Sequence, residues 1–241
     1  MKKLPNGVVV WEGPSAINGK PTVAILTGIR RPSANPKTGP MLQLWILYAG
    51  ESPVDAARNG NDDAVCGGCK HRPAFGGTCY VSLFHGPRAV WATWANGDYP
   101  HAEDIPAIVR GRFVRLGAYG DPAALPQEII HTLTQEAAGH TGYTHQWKAR
   151  RFNWLRDYVQ ASVDNLQEYT LATKRSWGTF RVRMESEPLE AEEWACPASP
   201  EGGHTTTCSE CLACNGSQAH IAIIVHGARS KQFDGTHHGR S

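Results

Sequence analysis

The alternation of strand-type and helix-type segments after residue 79 most constrains how this chain folds. Short runs rich in β-branched and aromatic residues alternate with longer segments of helical character. The predicted strands are 80–84, 113–118, 143–147, 159–163, 180–182 and 221–225, and the predicted helices are 87–95, 126–138 and 166–177. Because strand, helix and strand at this spacing form parallel βαβ units, the sequence predicts an α/β fold built on a partial or complete parallel (β/α) barrel.

The first fifty residues have a different character. They contain extended segments at 8–11, 22–29 and 42–48, and Asn18-Gly19 is a typical hairpin turn between the first two. The sequence therefore predicts a small antiparallel β element over residues 1–50, packed on the main domain.

The main domain is predicted to span residues 51–228. It opens with Ser52-Pro53, an N-cap followed by a proline in the first helical turn, and this first helix should end near Gly60. With 241 residues the chain has room for one substantial domain and not for two large ones. The polar segment 229–241, with His237 and His238, is predicted to be a disordered tail.

Seven cysteines fall into two groups, within two loops at 66–79 and 196–214. The early group is Cys66, Cys69 and Cys79, and the late group is Cys196, Cys208, Cys211 and Cys214. An odd number of cysteines with CxxC spacing indicates metal ligands and not a disulfide framework. Three thiolates leave an open coordination position and four complete a closed one.

The spacing does not decide between zinc and an iron–sulfur cluster, because four thiolates suit both. The early group needs a fourth ligand, for which His71 and His85 are the nearby protein candidates, besides water or an exogenous ligand. In the late group, Cys196 is the natural fourth ligand beside the closely spaced trio.

The end of the strand 113–118 is a candidate site, because functional groups of parallel barrels collect where strands end. Gly120 would allow close approach of a ligand to the backbone, and Asp121 would direct a carboxylate at the strand mouth. The alternative is that Asp121 caps the following helix, and the two roles can coexist.

Other candidate residues also lie at predicted strand ends. His145 is a candidate base or ligand, with a hydrogen-bonded structural histidine as the alternative. Asp164 follows a strand and is either a second mouth carboxylate or a cap. Arg181 and Arg183 alternate along one strand, so they share a face that would hold a carboxylate or phosphate, unless they are ordinary solvated arginines. His226 ends the last strand and is a further candidate at the mouth.

Composition limits the partners. A net charge of +2 with 19% charged residues excludes a chain dominated by phosphate contacts, so a nucleic-acid or nucleotide site would have to be local. No stretch approaches the roughly 20 apolar residues of a membrane span, and no export signal is evident at the amino terminus. We therefore expect a cytoplasmic protein without a membrane partner; the oligomeric state is not indicated.

The segment VRLGAYGDPAALP resembles the strand-to-helix element of radical S-adenosylmethionine proteins. In that superfamily an apolar strand ends in Gly-Gly-Glu-Pro beside the methionine amino group of the cofactor. Tyr119, Gly120, Asp121 and Pro122 occupy those places, with Asp for Glu and Tyr for the first Gly. The resemblance implies that Tyr119, Gly120 and Asp121 bind S-adenosylmethionine.

The early cysteine loop, which ends in Cys79-Tyr80, is similar to the cluster loop of the same superfamily. The superfamily pattern is CxxxCxxC, whereas this chain has CxxC, nine residues and then a third cysteine. The resemblance implies a four-iron four-sulfur cluster on the early group and an auxiliary cluster on the late group.

Over most of its length the chain also resembles uncharacterised bacteriophage proteins of the gene product 88 family. The matching residues are Cys79-Tyr80, Gly120-Asp121, Tyr143-Thr144, Cys196-Pro197 and the trio Cys208, Cys211 and Cys214. This resemblance implies a phage or prophage origin and work in a bacterial host cytoplasm.

Three functions remain open at this point. The first is an iron–sulfur protein resembling radical S-adenosylmethionine enzymes, acting in nucleic-acid or nucleotide metabolism. The second is a barrel similar to guanine transglycosylases, with Asp121 and Asp164 acting on a base or sugar and structural zinc on the late cysteines. The third is a zinc-containing module that binds a nucleic acid or a host protein without catalysis.

Overall fold

A computed structural model describes residues 5–227 and 230–233, and its centre is one mixed sheet. Nine strands form the described sheet: β1 (Gly7–Pro14), β2 (Pro21–Thr27), β3 (Leu42–Tyr48), β4 (Phe113–Tyr119), β5 (Gly139–Thr144), β6 (Gln160–Val163), β7 (Thr179–Arg183), β8 (Glu193–Ala195) and β9 (His220–Ile224).

The sheet is antiparallel at its start and parallel afterwards. Its order is β1-β2-β3-β4-β5-β6-β7-β9-β8; β1, β2 and β3 pair antiparallel, and each later pair is parallel. The predicted α/β class and the antiparallel amino-terminal element are thus confirmed. A closed barrel is not, because β1 and β8 stand at opposite edges of the described sheet.

Seven α-helices connect or cover the described strands: α1 (Pro53–Asn59), α2 (Asp63–Cys66), α3 (Gly86–Ala95), α4 (Ile105–Val109), α5 (Gln127–Thr134), α6 (Leu166–Lys174) and α7 (Cys208–Cys211). Short 3₁₀ turns lie at Pro73–Phe75, Pro122–Ala124, Arg150–Asp157 and Ser230–Gln232. Helix α1 begins and ends as predicted. The Ser52 side chain accepts a hydrogen bond from the amide of Asp55, and Gly60 terminates the helix in the left-handed region with φ 79°.

Some predicted elements differ from the structure. Residues 80–84 form no strand, and Tyr80 and Phe84 are 53% and 66% exposed, so their apolar character does not mark a buried segment. Strand β5 ends at Thr144, which places His145 beyond the strand. The sequence also did not predict α4 or β8, because elements of five and three residues are too short to show a periodicity.

The two faces of the parallel strands have different surroundings because successive side chains alternate between them. On β4, Val114 and Leu116 are buried in the main apolar core, whereas Arg115 and Gly117 point to a cavity on the other face. The cavity side of the sheet therefore holds the candidate site, and the helix side holds most of the core.

One residue near the carboxyl terminus packs on the early loop. Phe233 is 3% exposed and its ring stacks on His71, with ring centroids 6.1 Å apart and an interplanar angle of 22°. Residues 230–233 of the predicted tail are described, while His237 and His238 lie outside the described residues. No helix within the described part of the chain is long and apolar enough to cross a membrane.

Candidate functional site

A cavity of about 320 Å³ lies against the parallel part of the sheet. Five strands and the residues that follow them contribute side chains to it: Arg115 and Tyr119 from β4, Thr141 and Tyr143 from β5, Ser162 from β6, Phe180 and Val182 from β7, and Ile223 and Val225 from β9 and its end. Residues from the loops 35–38 and 66–81, together with His226 and Phe233, complete the wall. The cavity thus lies where the predicted strand-end residues and the early cysteine loop meet.

All three early cysteines line this cavity. Their loop turns back on itself through two backbone bonds, in which the amide of Cys69 donates to the carbonyl of Cys66 (3.1 Å) and the amide of Cys79 donates to the carbonyl of His71 (3.0 Å). The sequence prediction that these three residues form one group is consistent with this placement.

Arg72 and Gln146 fasten the early loop to its surroundings. The buried guanidinium of Arg72 donates to the carbonyls of Gly67 (2.8 Å) and Gly60 (2.9 Å) and pairs with Asp62 at 2.6 Å. The amide nitrogen of Gln146 donates to the carbonyl of Cys66 (3.1 Å). The loop is therefore held by buried polar contacts that do not involve the thiols.

The early thiols lie in an environment that disfavours free thiolates. Burial raises the pKa of Cys66 well above its usual value, and the neighbouring Cys69 and Cys79 raise it further. Burial is also the main cause that raises the pKa of Cys69, with a contribution from Cys79. A bound cation or cluster would remove this penalty, because thiolates are the ligand form of cysteine.

The late cysteines lie mostly behind the cavity wall. Cys196 and Cys214 are buried in a small apolar cluster with Phe180 and Ile223, and of the four late cysteines Cys208 lines the cavity. Burial raises the pKa of Cys214, and the other three late cysteines raise it further. The other three late thiols therefore lie within electrostatic reach of Cys214.

The loop of the late cysteines is anchored to three strands. The amide of Cys196 donates to the carbonyl of Ala222 on β9 (2.8 Å), and the amide of Gly142 on β5 donates to the carbonyl of Cys214 (2.9 Å). The fully buried Gln160 of β6 donates to the carbonyl of Ala213 (2.9 Å) and accepts from the amide of Gly216 (2.9 Å).

Helix α7 begins with a capping box. The Thr207 side chain accepts from the backbone at the third helical position, and the Glu210 carboxylate accepts in return from the amide of Thr207 at 2.9 Å. This short helix fixes the spacing between Cys208 and Cys211.

Sulfur spacing separates two kinds of metal site. Tetrahedral zinc with bonds of about 2.3 Å brings its sulfurs to roughly 3.8 Å from one another. Within the part of the chain that the structure describes, neither cysteine group contains three sulfurs that all lie within 4.8 Å of one another. A cluster of several iron atoms is a larger body that holds its thiolates further apart, and the cysteines themselves suit either kind of site.

Asp121 is both a cap and a residue of the cavity wall. One carboxylate oxygen accepts from the amide of Ala123 (3.0 Å) at the 3₁₀ turn, and the other accepts from the amide of His145 (2.8 Å). Burial raises its pKa to about 6, against the lowering effect of these hydrogen bonds. The cap prediction is confirmed, and Asp121 also lines the cavity, as do Tyr119 and Gly120.

Gly120 is required by the fold itself. Its φ of 82° lies in the left-handed region, and a Cβ atom there would collide with the backbone carbonyl of Ile46 on β3. The sequence indicated that a ligand could approach the backbone closely at Gly120. In the structure, it is the neighbouring strand β3 that approaches Gly120 closely.

Asp164 and His145 lie together with His71 at one side of the cavity. One ligand atom from each of these three residues lies within 4.8 Å of the others. Asp164 does not cap α6, since Asn165 performs that role by accepting from the amide of Glu168. The sequence predicted Asp164 and His145 as separate strand-end residues, and it named His71 as a candidate ligand of the cysteines.

The two arginines of β7 point away from the cavity. Phe180 and Val182 face the cavity, so Arg181 and Arg183, which alternate with them, share the opposite face. Arg181 pairs with the buried Glu193 at 2.6 Å, and Arg183 pairs with Glu201. Arg181 and Arg183 share a face, as predicted, but each guanidinium is already paired with a carboxylate of the protein itself.

Lys37 and Arg115 are the lysine and arginine side chains of the described cavity wall, and the sequence predicted neither of them. The guanidinium of Arg115 donates to the Tyr80 hydroxyl at 2.9 Å, between the early loop and the strands. The place of Arg115 in the sequence could have identified it. Arg115 stands two residues before Gly117 and four before Tyr119, so all three lie on the same face of β4.

The remaining candidates divide between the cavity and other surfaces. His226 lines the cavity and its ring lies 5.7 Å from that of Tyr80. His85 immediately precedes α3 and is not part of the cavity wall. Trp91 and Trp94 pack edge to face on α3 with centroids 6.3 Å apart, as expected for a packing surface.

In comparisons with known proteins, no protein-family model, no curated protein and no solved structure matches this chain. Function must therefore be argued from the geometry of the site.

Proposed function

We propose that this protein is an iron–sulfur protein resembling radical S-adenosylmethionine enzymes. In this proposal Cys66, Cys69 and Cys79 hold a four-iron four-sulfur cluster, and the four late cysteines hold an auxiliary cluster. The cofactor S-adenosylmethionine lies in the cavity beside Tyr119, Gly120 and Asp121, and the open sheet is a partial barrel.

One observation carries the proposal: the three early thiols and the residues 119–121 line the same cavity. These two segments are separated by 40 residues or more in the sequence. The carboxylate of Asp121 also raises the pKa of Cys66 and of Cys69, so it lies within electrostatic reach of both thiols. A volume of about 320 Å³ is within the range of small-molecule sites, roughly 300–1,000 Å³.

The residues present fit a cluster in number and in chemical type. Three cysteines supply three thiolates and leave one coordination position free. When bound, such a cluster supplies one electron for the reductive cleavage of S-adenosylmethionine.

The side chains of the cavity wall have separate roles in binding. The carboxylate of Asp121 already accepts backbone bonds from Ala123 and His145 and side-chain bonds from Thr144 and Gln146, so in this proposal it acts on a cofactor ammonium group mainly through its negative charge. Arg115 offers a guanidinium to an anionic group, which suits the phosphate of a nucleotide-like substrate. Tyr143, Phe180 and Ile223 provide apolar surface that excludes water from the rest of the cavity.

The transglycosylase alternative receives less support. It requires two carboxylates that face one substrate, yet Asp164 is hydrogen-bonded to His71 and is not part of the cavity wall. It also gives the early cysteines no role. A purely binding module gives no role to the convergence of thiols and strand-end residues on one enclosed cavity.

The test is metal analysis of protein purified and reconstituted without oxygen. We expect iron and acid-labile sulfide for two clusters per chain, and Cys66→Ala and Cys208→Ala should each remove one cluster's share. With a chemical reductant, the unsubstituted protein should cleave S-adenosylmethionine to 5′-deoxyadenosine, and Cys66→Ala should not. Zinc without sulfide after attempted reconstitution would overturn the proposal.

A further inference from the structure

A second group of candidate metal ligands lies beside the cysteines, at the end of β5 and β6. His145 follows β5, Asp164 follows β6, and His71 comes from the early loop. Both histidines line the cavity, and Asp164 lies behind them with its side chain 3% exposed. One loop and the ends of two strands thus bring two imidazoles and one carboxylate to one point.

The distances suit ligands of one ion. His71 Nε2 lies 3.0 Å from Asp164 Oδ1, and one ligand atom of each residue lies within 4.8 Å of the other two. Neighbouring ligands at right angles around an ion with bonds of about 2.1 Å lie roughly 3.0 Å apart. The observed separation is that of the hydrogen bond between the two groups, and it is also the one that an ion binding both atoms would require.

The other ring nitrogen of His71 is held by a hydroxyl group. Its Nδ1 lies 2.6 Å from Thr78 Oγ1. Histidines that bind metals usually donate their second ring N–H to such a partner, which fixes the ring and leaves the first nitrogen free for the metal. Thr78 orients His71 in this way.

Two polar atoms of the group are buried without a hydrogen-bond partner. They are His145 Nε2 and Asp164 Oδ2, among the described residues. Lys70 approaches Asp164 Oδ2 at 3.7 Å, but it is held more closely by Glu168 at 2.6 Å. Buried polar atoms without partners are rare and call for an unseen ligand or another explanation.

We infer that His71, His145 and Asp164 form a binding site for one divalent transition-metal ion, separate from both cysteine groups. Two neutral imidazoles and one carboxylate suit Fe²⁺, Zn²⁺ and related first-row ions, and three protein ligands leave positions open. Because His71 and His145 line the cavity, those open positions are accessible to a molecule bound there. In this site His71 is a ligand of the divalent ion and not the fourth ligand of the early cysteine group.

The experiment uses Co²⁺ as the probe, added to anaerobic full-length protein whose cysteine sites retain their own metals. Nitrogen and oxygen ligands give Co²⁺ only weak visible bands, whereas thiolate ligands add intense charge-transfer absorption. We expect one equivalent of Co²⁺ to bind with weak bands and no thiolate charge transfer.

The variants locate the site. His145→Ala and Asp164→Asn should weaken Co²⁺ binding more strongly than Thr78→Val, which removes a supporting hydrogen bond worth about 10- to 100-fold in affinity. His226→Ala is the matched control, since it removes a cavity histidine outside the group and should leave the affinity unchanged. Circular dichroism identifies variants that fail to fold, and His145→Gln replaces His145→Ala in that case.

Three outcomes would overturn the inference. The protein could bind no equivalent of Co²⁺, it could bind Co²⁺ with the intense absorption of thiolate ligands, or His145→Ala and Asp164→Asn could leave the affinity for Co²⁺ unchanged. The readout is independent of the proposed iron–sulfur chemistry. Protein without iron or sulfide that still binds Co²⁺ through these residues would contradict the proposed function and support this site.

Discussion

The early and late cysteine groups differ in what surrounds them. Cys66, Cys69 and Cys79 all line the cavity, whereas Cys196 and Cys214 are packed into an apolar cluster behind it. The early loop is held by one arginine and one glutamine, and the late loop is tied to three strands and carries a capped helix. The early environment is suited to contact with a ligand, and the late environment to stabilising the fold.

The strongest test of this difference compares one cysteine from each group. Cys214→Ala should lower the free energy of unfolding of the metal-loaded protein by more than about 4 kcal/mol, because a lost metal is among the few single changes of that size. Cys66→Ala also loses its metal, but it should cost clearly less, because Arg72 and Gln146 still hold the early loop through contacts that do not involve the thiols. Urea unfolding of both anaerobic variants measures the two values, and equal losses would contradict the comparison.

A second test removes a charge beside the late group. Arg181→Met leaves the fully buried Glu193 without its partner, so we expect a loss of about 3 kcal/mol in the free energy of unfolding. Glu193 lies on β8, which leads directly to Cys196, so late-group metal should fall while the early group keeps its own.

The control for this change is Arg110→Met, because Arg110 pairs with Glu136 at the surface and such pairs contribute about 1 kcal/mol or less. If Arg181→Met lowered the metal content of the early group as much as that of the late group, the two cysteine groups could not be regarded as independent.

A matched pair of glutamines sharpens the comparison further. Gln160→Leu removes a fully buried amide and leaves the carbonyl of Ala213 and the amide of Gly216, both partly buried, without this partner, so it should cost about 1–3 kcal/mol. Gln146→Leu removes the contact with Cys66 at a partly buried position, so about 1 kcal/mol is expected. Thermal unfolding of the two variants should rank Gln160→Leu as the more damaging, and the reverse order would count against the description of the late loop.

The smallest expected difference is kinetic. Since the early thiols line the cavity and the late ones are mostly behind its wall, a chelator should remove metal from the early group first. Metal release followed in Cys66→Ala and in Cys208→Ala, each of which retains one group, distinguishes the two rates. Slower release from the early group would contradict the assignment of the cavity as its access route.

The sequence predicted the fold best where local chemistry and tertiary structure agree. The Ser52 cap, the left-handed Gly60 and the strand 42–48 all follow from local preferences that packing does not oppose. The strand predicted at 80–84 is wrong. Val81 and Leu83 pack against the core while Tyr80 and Phe84 are exposed, and this alternation resembles a strand although the segment pairs with no described neighbour.

The candidate site was predictable in its parts and not in its assembly. Spacing alone grouped the cysteines, and the end of β4 indicated Asp121. Packing decides which face of a strand lines the cavity. The alternation of Arg181 and Arg183 therefore predicted that they share a face of β7, but it did not predict that this face points away from the cavity. The meeting of His71 with Asp164, 93 residues apart in the chain, depends on tertiary structure and has no local signal.

Phe233 adds a consequence for the order of events during protein synthesis. This ring, which covers His71, comes later in the chain than every other residue of the cavity wall. A chain made from its amino terminus therefore has its cysteines, its strand ends and both histidines synthesised before the ring that stacks on His71. A metal ion that met a growing chain would find His71 without this ring, whereas one that met the folded protein would find His71 already stacked.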